Sequence, residues 1–200
     1  MKRKRLGILV GLAGLAVVAG LFVATGISLV PASLTLGPCL KDWSSGVSYR
    51  PRVSPLATVD MQVGATPIRL CYGRPAMRSR SVFGGLVPFD SLWRLGANEP
   101  TRLSTGGAIS LAGIMLPAGR YSLYTIPHAE RWEIFVSRST QHWGNDISSA
   151  VRSKEIGQTS VPVEHLAVPV ETLTVRATEA GELQFDWETT RVSLPLIAAH

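Results

Sequence analysis

In the segment ELQFDWE, Leu183, Phe185 and Trp187 alternate with Glu182, Gln184, Asp186 and Glu188. A two-residue period puts apolar side chains on one face of an extended strand and polar ones on the other. The pattern recurs. ETLTVRA sets Leu173, Val175 and Ala177 against Thr172, Thr174 and Arg176; RWEIFVS aligns Trp132, Ile134 and Val136; RVSLPLI aligns Val192, Leu194 and Leu196. Beyond residue 55 no segment holds a 3.6-residue period over a dozen positions, and Asp146–Arg152 offers one short helical turn. Turn residues fall between the strands: Pro117 and Gly119 open one that Pro127 closes, and Glu179-Ala180-Gly181 separates two at hairpin spacing. Pro195 marks the last strand as an edge or as breaking off. Asp186 and Glu188 point away from the apolar face and read as solvated. The expected fold is all-β, an antiparallel β-sandwich (jelly-roll-like or an open barrel) over residues 55–198. That length can bury a core of its own.

The other end of the chain obeys a different rule. After MKRKR, Leu6 to Val30 carries no charge. About 20 apolar residues suffice for a helix to cross a bilayer, and a signal-peptide core is shorter. The basic residues lie before the run and none follows until Lys41, which sets the N-terminus in the cytoplasm and the remainder outside. Residues 1–5 are therefore read as a cytoplasmic basic segment and 6–30 as an uncleaved transmembrane anchor. A cleaved signal is the alternative, since Pro31-Ala32-Ser33 supplies small residues after the run. Residues 31–54, rich in Pro, Ser and Gly, read as a linker lifting the domain off the membrane. The expected location is the cytoplasmic membrane, single-pass, with the C-terminal domain periplasmic or extracellular.

The net charge of +6 carries little information about partners. Four of the charges sit in Lys2–Arg5, leaving 16 basic against 14 acidic residues elsewhere. Such a balance gives no footprint for nucleic acid. The two cysteines, Cys39 and Cys71, could pair in an oxidising compartment. Cys39, however, lies in the linker and Cys71 in a strand, where a buried free thiol is the preferred reading. LGPC has the outline of a lipid acceptor site, but the proline before Cys39 and its distance from the apolar run argue against it.

YGRPAMRSRSVFGGLVPFDSLWRLGANEPT, LPAGRYSLYTIP and WEIFVSRSTQHWG together resemble the domain of unknown function 2911 family, over roughly Ser54 to Leu196. That resemblance implies a bacterial, exported protein and carries over no catalytic residues. Family members tend to have lysine and glycine where this chain has Met77, Arg78 and Ser79, so that loop is expected to differ in shape.

Within the first stretch and its flanks, Arg69, Arg74, Arg78, Arg80, Arg94 and Arg102 face only Asp90 and Glu99. Arginine's planar fork suits carboxylates and phosphates and stacks on aromatic rings. The candidate ligand-binding residues are Arg74, Trp93, Arg94, Asn98, Glu99 and Trp143, facing an anionic or carbohydrate ligand. Equally, the same groups can pair with one another to hold a long loop in shape. His128, His142, His165 and His200 are scattered, so no metal site and no cofactor are expected. The favoured function is a non-enzymatic ligand-binding or structural module of the cell envelope. The alternative is an envelope hydrolase or lyase with Glu99 as general acid/base.

Overall fold

The computed structural model describes residues 53–199 together with Leu36, Gly37 and Cys39. The expected cytoplasmic segment, the membrane anchor and most of the linker lie outside the described residues. Among the described residues no helix is long and apolar enough to cross a membrane.

Among the described residues from 53 on, ten strands and one helical turn follow in order: β1 (Leu56–Val63), β2 (Thr66–Gly73), β3 (Thr101–Thr105), β4 (Ile109–Leu111), β5 (Ile114–Leu116), β6 (Gly119–Pro127), β7 (Arg131–Ser137), α1 (Ser149–Arg152), β8 (Glu155–Pro162), β9 (Glu164–Ala177) and β10 (Glu182–Ala198). The fold is all-β. One antiparallel sheet runs β1-β2-β3-β6-β7-β8 and the other β5-β4-β10-β9. The bounds of β6 fall where Gly119 and Pro127 place them. The β9–β10 hairpin turns at Gly181, whose φ of +80° suits a residue without a β-carbon.

Inward-facing residues of both sheets form one hydrophobic core that includes Leu70, Leu103, Trp132, Val175, Phe185 and Leu194. At its centre Trp93, Trp132, Trp187 and Phe83 pack edge to face, tilted or stacked, with ring centroids 5.2–6.0 Å apart. The sheets are also tied by polar groups. The buried Tyr72 hydroxyl on β2 accepts the Val175 N–H of β9 at 2.9 Å. The segment after β2 extends the four-stranded sheet: Met77 N–H donates to Glu171 O and Leu173 N–H to Pro75 O.

Two sequence expectations change in β10. Asp186 is not solvated; it is 1 % exposed and held by two arginines, with Arg191 donating at 2.8 and 2.9 Å and Arg176 also bonded to it. A bulge brings Arg191 to the same face as Asp186. The pairing of β10 with β9 slips between Asp186 and Glu188 and again between Glu188 and Thr190, and Glu188 takes a φ of +54°. Pro195 does not end the strand. It lies beyond Arg191, the last residue paired with β9, where its missing N–H costs no bond to that neighbour.

The cysteine expectation is overturned as well. Cys39 and Cys71 form a disulfide across a Cα–Cα distance of 5.5 Å, so Cys71 is not a free thiol. Leu36 is buried, and the carbonyls of Leu36 and Gly37 accept from Arg120 (3.2 Å) and Arg69 (2.8 Å). Arg69 and Arg120 belong to one cross-strand row with Asp60 and Ser104. This part of the linker is a strap laid on the outer face of the six-stranded sheet.

Candidate functional site

The six clustered arginines disperse in three dimensions. Arg69 forms a two-pronged pair with Asp60 at 2.6 and 2.7 Å. Arg74 donates to Leu173 O and Thr174 Oγ1 of β9, both at 3.2 Å. Arg78 reaches Val53 O, Arg80 reaches Met77 O and Ala76 O, and Arg102 donates to Thr140 O. Loop carbonyls left unpaired by the sheets need such donors. Arg94 differs. Its Nε is buried with no hydrogen-bond partner among the described residues, and burial pushes its pKa down.

The remaining candidates form a junction of loops. Trp93 pairs with Thr125 through two 2.8 Å backbone bonds and lies inside the aromatic core, 6 % exposed; it is not a surface platform. The chain then turns tightly, with Leu95 and Asn98 at φ +58° and +63°. The Asn98 amide donates to Ser54 O at 3.0 Å. Glu99 is 1 % exposed and engaged by neighbouring groups. Trp143 is an exposed aromatic. Its neighbour Gly144 packs so closely that a β-carbon there would meet Asn98 O and the Arg94 Cδ, and one at Gly73 would meet Ala97 O. The fragments YGRP, WRLGANE and HWG thus meet backbone to backbone, and their glycines are there because nothing larger fits.

Gly73→Ala accordingly tests the junction. The obstructing atom is a backbone carbonyl, which cannot rotate away, so the variant is expected to lose about 2 kcal/mol in urea unfolding. A loss below about 0.5 kcal/mol, the range of an ordinary surface change, would mean that the loops do not pack this closely.

A cleft opens elsewhere, where Ser81, Phe83 and Phe89 of the loop after β2 meet the β6–β7 turn, β9 and the β10 bulge. Its volume is about 240 Å³, and Phe83, Phe89 and Trp132 form its apolar wall. His128, His165 and Glu188 supply its ionisable groups. Glu188 is held from both sides, Oε1 accepting the Val82 N–H and Oε2 the Phe83 N–H, each at 3.2 Å. His128 is clamped by Asp90 at Nδ1 and by Glu133 at Nε2 (3.2 Å). His165 lies 3.9 Å from Glu130. Among the described residues no three such side chains are set to hold a metal ion. None of the six expected ligand residues lines this cleft. The signal for it was the phase of the apolar pattern in β10, which is odd-numbered through Trp187 and even-numbered from Val192. A change of phase within one strand requires an inserted residue, and the insertion carries Glu188 into the cleft.

No curated protein and no solved structure matches the chain. A family model does match over residues 54–196, the span of both sheets and of all three motif fragments that meet in the junction. The chain therefore belongs to the family described as Protein of unknown function (DUF2911).

Proposed function

We propose that this chain is a ligand-binding module of the bacterial cell envelope, a β-sandwich held outside the cytoplasmic membrane by a single helix over residues 6–30. The observation that carries the reading is the cleft, which combines an aromatic wall with convergent polar groups. Backbone strain supports it: Glu188 sits at φ +54°, an unfavourable conformation for a residue with a β-carbon, and such strain concentrates at functional sites. The Cys39–Cys71 disulfide supports the location, since such bonds persist in oxidising compartments. Turnover through Glu99 is disfavoured, because a general acid/base must reach its substrate and Glu99 is buried. A second reading, anion capture at Arg94 beside Trp143, is favoured by the desolvated guanidinium and its unpartnered Nε.

One experiment serves both readings. The full chain in lipid nanodiscs is screened by NMR against a library of neutral, cationic and anionic fragments. Aromatic-ring signals of Phe89 and Trp132 report the cleft, and the Trp143 indole reports the Arg94 locus. Fragments that shift the first set, and lose at least tenfold in affinity with Phe89→Ala, support the principal reading. Responses confined to Trp143 replace it with the second. A fully silent screen, or a C-terminal tag shielded from protease added to intact cells or spheroplasts, sinks the proposal.

A further inference from the structure

The chemistry of the cleft selects among ligands, and this step rests on the cleft being a binding site. We infer that the cleft takes a single neutral sugar ring.

Charge narrows the choice first. Asp90, Glu130, Glu133 and Glu188 stand in or around the cleft through their contacts with His128, His165 and the 82–83 backbone. Among the described residues the one arginine paired there is Arg131, 3.6 Å from Glu133. Four carboxylates outnumber one guanidinium together with the His128 and His165 imidazoles even when both are charged, which disfavours an anionic ligand. The sugar acids and phosphates that the arginine-rich sequence brings to mind are thus the wrong class for this site.

Size comes next. At about 240 Å³ the space falls below the range of drug-sized pockets, so one ring fits and a chain of rings would have to run out over the surface. The polar groups then discriminate between a ring with hydroxyls and a plain apolar one. Ser81, Thr189 and Thr190 line the cleft, and their hydroxyls have no hydrogen bond to another described residue. A hydroxyl both donates and accepts, which matches the hydroxyls of a sugar. Each Glu188 oxygen uses one acceptor site on the backbone and keeps another for a ligand. The half-exposed Phe89 ring offers a flat apolar surface to the C–H face of a pyranose.

The bulge explains why these groups converge. In a regular strand Glu188, Thr189 and Thr190 would alternate between faces. The register shifts on both sides of Glu188 let all three line one cleft.

The test is saturation-transfer NMR on the full chain in nanodiscs. The probes are methyl glucoside, N-acetylglucosamine, glucuronate and benzyltrimethylammonium. One ring of this size binds at about millimolar Kd. The neutral sugars are expected to bind, glucuronate at least tenfold more weakly, and both Phe89→Ala and Thr189→Val to weaken the neutral sugars at least fivefold with an unchanged melting temperature. Binding of the ammonium probe without the sugars, or of glucuronate as tightly as the glucoside, overturns the sugar assignment and leaves the cleft a site. If no probe binds while library fragments still shift Phe89 and Trp132, the sugar assignment is likewise overturned. Silence from probes and fragments alike removes both readings together.

Discussion

Asp186→Asn is expected to lower the stability of the fold by about 3 kcal/mol, the low end of the cost of removing one partner from a buried ion pair. The substitution keeps the shape of the side chain and removes its charge. Asp186 is 1 % exposed, and its two oxygens receive Arg191 in a two-pronged bond and Arg176 beside it. Arg191's pKa is raised, first by this hydrogen bond; without the carboxylate that support is gone, but an arginine is charged at neutral pH even in its ordinary range. Two cations then face one another across a neutral amide. Their side chains are 22 % and 49 % exposed, so water relieves part of the repulsion, which is why the low end applies. Urea unfolding of Asp186→Asn, Arg191→Gln and the double variant gives the coupling energy. A single-variant loss under about 1 kcal/mol, as for a surface pair, would show the site to be open to water.

Breaking the Cys39–Cys71 bond is expected to have an effect of similar size. The bond closes a loop with a sequence separation of 32, for which loop-closure entropy gives about 3–4 kcal/mol. For a domain of this size that corresponds to a fall of roughly 10 °C in Tm. Reductant, Cys39→Ser and Cys71→Ser are expected to give the same shift, and reductant to add nothing to either variant. An unchanged melting curve under reductant would mean that the two sulfurs are not joined.

Strand boundaries were legible wherever the chain carries its own punctuation. Gly119 and Pro127 bracket β6, and Glu179 to Gly181 turn the β9–β10 hairpin, because φ restrictions and missing donors act locally. Partners were not legible. The arginine cluster reads as an anion site only while the backbone carbonyls at Leu173, Val53, Met77 and Thr140 are unseen. Those carbonyls arrive from segments up to a hundred residues away. Trp93 lies in a loop in the sequence, yet the loop carries it into the core between Trp132 and Trp187. Alternation put Asp186 on the face away from the core but could not show the two arginines that cover it there, because Arg191 reaches that face only across the bulge. The cleft draws on four stretches of chain, and a local pattern cannot bring these together.

The strap also decides where a mechanical load would enter. A pull arriving along the N-terminal chain reaches Cys39 and crosses the sulfur bridge to Cys71, in β2 between β1 and β3. Forced unfolding is governed by the barrier along the pulled path, and here that path skips residues 40–70. Strand β1 would therefore bear no tension, although it stands first in the sheet. The load would enter near the end of β2, at Cys71, and pass along the chain beyond it, and only cleavage of the bridge would let it peel β1 away.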